Sequence, residues 1–220
     1  MNPLTHRSRL LAISDIHGHG EGLKLLLAAS AYDARRDRLI LLGDYINADP
    51  DTWGTLEQIQ QLDLDGATAL LGNLEMNLLK QAGPIPEALV PHARLDWLSG
   101  LPFYMTVGPW LFVHAGIRPG RSLERQSPED LTGIREDFWN GAPDCGYTVV
   151  FGHTPTYKLG AKPGAIWQAA GRLGIDTGAK HGERLTLLDL TGGTAYSCST
   201  AQTSLYGDLR IEAVSLPACH

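Results

Sequence analysis

The chain has 220 residues, 43% hydrophobic and 19% charged, with 18 lysines and arginines against 24 aspartates and glutamates. That length and balance suit one folded domain spanning residues 1–220 and exclude the apolar-poor, charge-rich composition of a disordered chain. The formal net charge of −6 argues against broad nucleic-acid binding, which needs a basic face able to neutralise several phosphates; a small or protein-borne phosphate stays open as a partner.

The N-terminal segment carries only a short apolar run before Ser14, too short for a signal segment or a membrane span, so no membrane association is expected. That run, 10–13, reads as a buried strand closed by Ser14-Asp15, with Gly18 and Gly20 leading into a Leu-rich helix over 23–31. The pattern repeats at 39–42, closed by Gly43-Asp44 and followed by an amphipathic stretch over 52–62. A third copy is 68–71, then Gly72-Asn73, then a helix over 74–79. Strand and helix in alternation predict parallel βαβ units whose strand C-termini lie side by side. Ligands bind beyond that edge in open sheets, so Asp15, His17, Asp44 and Asn73 should converge. Within Asp15-Ile16-His17 an extended backbone would aim both polar side chains the same way.

The second half changes character. Strands are expected at 102–107, 110–114, 148–151, 184–190, 195–199 and 209–214, forming a second, mixed sheet. The stretch 84–100 reads as a helical connection, and 127–139 as one helix opened by Ser127-Pro128-Glu129. Two more strands end in imidazoles, His114 in His-Ala-Gly and His153 in Gly-His-Thr-Pro. Taken singly, each strand-end Asp, Asn or His reads as a turn former, a cap or a locally bonded side chain. Together they supply the carboxylates, neutral imidazoles and hard oxygen that two-metal phosphoester hydrolysis requires. Cys145, Cys198 and Cys219 are odd in number and widely spaced, which predicts reduced thiols in a cytoplasmic protein rather than a disulfide framework. His6, His19, His92 and His220 have no such strand-end placement, although His19 lies close enough to His17 to touch a substrate.

The series Asp-x-His-Gly, Gly-Asp, Gly-Asn, His-Ala-Gly and Gly-His-Thr-Pro resembles the phosphoprotein phosphatase branch of the calcineurin-like metallophosphoesterases. The branch includes bacterial serine/threonine phosphatases and diadenosine tetraphosphatases, and the similarity runs from about Leu10 to Leu190. The resemblance implies an α/β fold, a four-layer α-β-β-α sandwich of two mixed sheets. It implies two divalent ions, manganese by family precedent with iron or zinc compatible with the donor set. Asp15 and His17 would bind the first ion, Asn73, His114 and His153 the second, and Asp44 would bridge them. Arg135 lies in a segment similar to the one carrying a phosphate-binding arginine, and its planar fork suits two phosphate oxygens. A helix-surface arginine paired with Glu136 or Asp137 is the other reading of Arg135.

The chain departs from the family in one functional unit. The family follows Gly-Asp with two residues and Asp-Arg-Gly, whereas here Tyr45-Ile46 is followed by Asn47-Ala48-Asp49. The family's Gly-Asn-His-Glu is Gly72-Asn73-Leu74-Glu75, so the imidazole that protonates the leaving group, its partner acid and, at Ala48, one of the family's two phosphate arginines are missing. Hydrolysis biased toward good leaving groups is the expectation, since general acid catalysis matters most for poor ones. His181, just past Ile175-Asp176-Thr177-Gly178, is a candidate substitute acid, the alternative being an exposed loop residue. A dinucleoside polyphosphate hydrolase and a non-catalytic metal-binding interaction protein are the competing readings; oligomeric state is not indicated.

Overall fold

The computed structural model describes residues 9–81, 85–141 and 145–217. His6, His220, Cys219 and the start of the expected 84–100 connection lie outside the described residues. The first half follows the expected alternation: β1 (Leu10–Ile13), α1 (Gly20–Ala29), β2 (Arg38–Leu41), α2 (Thr55–Leu64), β3 (Thr68–Ala69) and α3 (Asn73–Leu79). β1 and β2 pair in parallel with Leu11 opposite Leu39, and β2 and β3 with Ile40 opposite Thr68. Helix α4 (His92–Ser99) then leads to the hairpin of β4 (Tyr104–Val107) and β5 (Trp110–Val113). The remaining elements are α5 (Pro128–Gly133), α6 (Glu136–Trp139), β6 (Thr148–Phe151), β7 (Trp167–Ala169), β8 (Arg172–Gly174), β9 (Arg184–Asp189), β10 (Thr194–Ser199) and β11 (Arg210–Ala213).

These strands form two mixed sheets, ordered β11-β10-β9-β1-β2-β3 and β4-β5-β6-β8-β7. The placement of the late strands corrects the sequence expectation: β9, β10 and β11 extend the first sheet instead of joining the second. β9 pairs antiparallel with β1, Ala12 opposite Leu188, because β1 is buried and its second edge needs a ladder partner. The expected single helix over 127–139 is also broken. Ser127 caps α5 by accepting from the Asp130 amide at 3.1 Å, but Ile134 turns extended and Arg135 stands at φ −133 before α6 begins. The break lets Leu131, Ile134 and Phe138 all pack on β5 and β6. Strands β7 and β8 were not foreseen, being three residues each around the Gly171 turn with no apolar run to mark them.

Alternation along the strands builds the layers. Leu11, Ile13, Leu39 and Leu41 face helices α1 and α2, while Ala12, Ile40 and Leu42 face the other sheet and meet Trp110, Phe112 and Val150. From β5 and β6, Leu111, Val113, Val149 and Phe151 face outward onto α5 and α6. Three apolar interfaces thus separate the four layers, and each fully buried Leu or Ile contributes about 1.5–3 kcal/mol. The outer layer over the second sheet is thin, since α5 has 6 residues and α6 has 4. Cys145 and Cys198 are free thiols. Among the described residues no helix is long and apolar enough to cross a membrane.

Candidate metal centre and phosphate site

The turns after β1, β2, β3, β5 and β6 meet at one edge of the paired sheets. Backbone bonds lock the first two together: the Asp15 amide donates to Gly43 O at 3.1 Å, His17 to Asp44 O at 2.9 Å and Gly18 to Tyr45 O at 2.8 Å. The β6 turn is tied in by Gly152 donating to His114 O at 2.8 Å and by the His153 amide donating to Asp15 Oδ2 at 2.8 Å.

Convergence of Asp15 and His17 does not arise from an extended segment, as expected, but from left-handed backbone. Asp15, His17, Asp44 and His153 have φ of 54, 49, 53 and 63. Such conformations are uncommon for residues other than glycine and persist where surrounding structure imposes them, typically at functional sites. Gly43, at φ +94, is required for a second reason: a Cβ there would lie 2.5 Å from Gly72 N and 2.6 Å from Gly72 Cα. Gly43→Ala is therefore expected to lower unfolding stability by about 2–4 kcal/mol, read from the shift of a urea midpoint at unchanged slope.

Five of the six predicted residues form two donor triads that share one carboxylate. Asp15, His17 and Asp44 make one and Asp44, His114 and His153 the other, with ligand atoms in each within 4.8 Å of one another. His17 Nε2 lies 3.6 Å from Asp15 Oδ1 and 4.0 Å from Asp44 Oδ2, and His114 Nε2 lies 3.4 Å from Asp44 Oδ1. Asn73 joins the second group, its Oδ1 being 3.1 Å from His114 Nε2. The imidazoles are oriented from behind: His17 Nδ1 donates to Ile46 O at 3.1 Å and His114 Nδ1 to Leu42 O at 2.8 Å. A carbonyl can only accept, so each bond puts the proton on Nδ1 and leaves Nε2 to face the cluster.

Three features fit this donor set to divalent cations. Asp15 and Asp44 are buried, and among the described residues neither has a lysine or arginine within ion-pair distance. Two buried carboxylates side by side are costly, and a cation between them lowers the cost. His153 Nε2 is buried with no hydrogen-bond partner among the described residues. Burial, and then the charges of His114 and Arg135, lower His153 to about 3, which keeps it a neutral donor. Burial works against a charge on His17, yet its bond to Asp15 and the carboxylates around it raise it to about 9. Burial and the charge of Asp15 push the Asp44 carboxyl upward. Asp15 itself is held low against its burial by His17 and His114.

A cavity of about 220 Å³ opens over the centre, with His17, Asp44, Asn73 and His153 on its floor, and Asp15 and His114 beneath. Arg135 lines one wall, its Nη1 3.4 Å from Thr154 Oγ1. Among the described residues Arg135 forms no ion pair with Glu136 or Asp137, the latter being held by Arg118 at 2.8 Å. Leu74 also lines the cavity, so the missing imidazole leaves an apolar side chain at the site itself. Asn47 sits behind, donating to His17 O at 3.0 Å. His181 is exposed but on the rim, edge to face with Tyr157 at 6.0 Å. His19 bonds Tyr206 at 3.2 Å and His92 pairs with Glu87, so neither enters the cavity.

Two buried carboxyls at the site were missed as site residues. Glu75 is buried and accepts from the amides of Asp44 at 2.9 Å, Tyr45 at 2.8 Å and Gly72 at 3.2 Å, clamping the β2 and β3 turns. Burial and the charge of Asp44 raise it to about 7. In sequence it reads as an ordinary acid of a first helical turn, since the N-cap Gly72 has no side chain to complete a capping box. Asp176, named only within its motif, is a buried carboxyl lining the cavity, pushed well up by burial and by Asp15.

The sequence profile of the calcineurin-like phosphoesterase family matches residues 8–181. The chain belongs to the calcineurin-like phosphoesterases. Membership implies divalent metal ions, in agreement with the donor triads. A symmetrical bis(5'-nucleosyl)-tetraphosphatase of Dechloromonas aromatica is 34% identical over 156 residues, covering 60% of this chain and 56% of the relative. One of Chromohalobacter salexigens is 28% identical over 262 residues, covering 83% of this chain and 94% of the relative. The chain spans about half the length of the former and of others like it, such as 47% of the Nitrosomonas europaea protein. A crystal structure described as a candidate diadenosine tetraphosphatase superposes with a TM-score of 0.70 at 26% identity, covering 90% of this chain and 96% of that one. A Saccharomyces cerevisiae serine/threonine phosphatase shares the fold at 13% identity and a TM-score of 0.59, covering 99% of this chain and 83% of that one.

Proposed function

We propose that the chain is a metal-dependent phosphoesterase, acting as one catalytic domain over 1–220, in which a water is activated between two divalent ions. The observation that carries this reading is the pair of buried donor triads sharing Asp44. In it Asp15 and His17 hold one ion, Asn73, His114 and His153 the other, and Asp44 bridges. Bound there, the ions would supply a nucleophilic hydroxide at neutral pH and neutralise phosphoryl oxygens. Arg135 clamps the phosphate, as its unpaired position on the cavity wall supports. Manganese is the proposed metal, with iron or zinc as substitutes, because mixed carboxylate, imidazole and amide donors admit all three. The cytoplasm is the proposed compartment, on the support of the free thiols Cys145 and Cys198.

The substrate is proposed to be a phosphoester or anhydride with a good leaving group. A dinucleoside polyphosphate is the more specific reading, supported by the names of the relatives and by Leu74, since anhydride cleavage demands less of a general acid. Release of nitrophenol from 4-nitrophenyl phosphate is expected only with added Mn²⁺, to vanish with a chelator and to return with excess Mn²⁺. Turnover unaffected by chelation would overturn the metal-dependent reading.

A further inference from the structure

Part of the cavity's lining, besides Arg135, comes from two short turns that continue site loops. Lys158 lies in the 3-10 turn Thr156–Leu159, just beyond His153, and Lys180 and His181 lie in the 3-10 turn Ala179–His181, just beyond Asp176. All three line the cavity that holds His17 and Asn73. The turns are braced against each other and the core. The Thr156 amide donates to Asp176 O at 2.9 Å, Thr156 Oγ1 to Ala165 O at 2.7 Å and Thr200 Oγ1 to Ala179 O at 2.9 Å. The lysines therefore project from fixed backbone.

Among the described residues neither lysine has an ion-pair partner, whereas Arg9, Arg118, Arg184 and Arg210 are each tied to a carboxylate. Both ammonium groups lie near enough to His181 to lower its proton affinity, after burial, while Glu183 on the same turn acts the other way. Arg135 already serves a phosphoryl group over the floor of the cavity. Lys158 and Lys180 add two more cations to the lining of that cavity, enough to meet the charge of a second phosphoryl group.

We propose that Lys158, Lys180 and His181 form a second anion-binding lip that holds the departing phosphate, so that the favoured substrate is a chain of two or more phosphoryl groups joined by anhydride bonds. This rests on the phosphoesterase reading above. One water is consumed: its oxygen bonds to the phosphorus beside Arg135, the bond from that phosphorus to the bridging oxygen breaks, and a proton passes to solvent. The bridging oxygen leaves with its electron pair as a phosphate oxyanion, whose charge the lysines meet. At about 220 Å³ the cavity is smaller than the ~300–1,000 Å³ that encloses a drug-sized ligand, so it takes the phosphate chain while an attached nucleoside lies outside. Selectivity is thus for phosphate number and is indifferent to the nucleoside.

The test uses Mn²⁺-loaded protein with inorganic tripolyphosphate, diadenosine tetraphosphate and 4-nitrophenyl phosphate. The ratio of kcat/KM for either anhydride to that for the aryl ester is expected to fall about tenfold in Lys158→Ala or Lys180→Ala and about 30–100-fold in the double variant, with recovery in Lys158→Arg/Lys180→Arg. The two anhydrides should fall together, which distinguishes recognition of the chain from recognition of adenosine. A ratio unchanged within about threefold, or a fall confined to the dinucleotide, overturns the lip. Should wild-type protein hydrolyse none of the three, the phosphoesterase reading fails. The lip is then judged by calorimetry: tripolyphosphate binding about tenfold tighter than orthophosphate, with the preference lost in the double variant, sustains it, and equal binding overturns it.

Discussion

Asp44→Asn is expected to reduce Mn²⁺-dependent hydrolysis of 4-nitrophenyl phosphate by about a thousandfold or more, because the change removes the one anionic donor common to both triads. An amide keeps the shape of the carboxylate but supplies a single neutral oxygen, so one ion or both should be lost. The effect separates from misfolding by a second reading. In metal-free protein Asp44 is a buried acid facing Asp15, and burial together with that neighbour already disfavours its charge. Neutralising it should leave the melting temperature without Mn²⁺ unchanged or higher. Wild-type protein should be stabilised by Mn²⁺, as any ligand that prefers the folded state does, and the variant should not. Activity within tenfold of wild type would mean that Asp44 is not shared, and would favour a site in which a single ion does the chemistry. Metal-dependent stabilisation with no turnover of any ester would favour the non-catalytic interaction protein instead.

Hydrolysis of phosphoserine peptides is expected to be slower than that of an aryl phosphate by about 10²–10⁴, the usual worth of general acid catalysis to a poor leaving group. Leu74 lines the cavity where the family has its proton donor, and Asn47, which replaces the partner acid, donates to His17 O at 3.0 Å. Neither can protonate a departing alkoxide. Leu74→His combined with Asn47→Asp should raise phosphoserine turnover more than aryl phosphate turnover, because a nitrophenolate leaves without help. Equal wild-type rates on the two substrates would contradict this account and direct attention to His181. That imidazole is on the rim, but burial and the neighbouring lysines disfavour its charged form, which weakens it as a donor near neutrality.

The convergence of the candidate ligands at one edge was legible because its signals are local. Each of Asp15, Asp44, Asn73, His114 and His153 follows a short apolar strand, and turns at the ends of parallel strands are bound to be neighbours. Sheet membership of the late strands was not legible. Residues 184–190 read as a strand wherever they pair, and the choice of β1 as partner depends on which buried edge lacks hydrogen bonds, a property of the assembled sheet. The split between α5 and α6 was hidden for a related reason, since a helical pattern over 127–139 does not show that Ile134 and Phe138 must both reach β5 and β6. Glu75 escaped because a buried carboxylate satisfied by backbone amides is indistinguishable in sequence from a surface acid in a first helical turn. The lysines of the lip escaped because nothing in their neighbours marks them as unpaired.

The position of β1 between β2 and β9 also dictates when the molecule can finish folding. Leu11 pairs with Leu39 on one side and with Asp189 on the other, so one contact closes a short loop and the other joins segments separated by most of the chain. Loop-closure entropy delays the second, and contacts of that kind slow folding. During synthesis the three βα units can form as they emerge, yet β1 keeps an exposed ladder edge until β9 leaves the ribosome. Until then the nascent chain presents an apolar strand edge to other chains, which makes β1 the segment through which a stalled or shortened chain would aggregate.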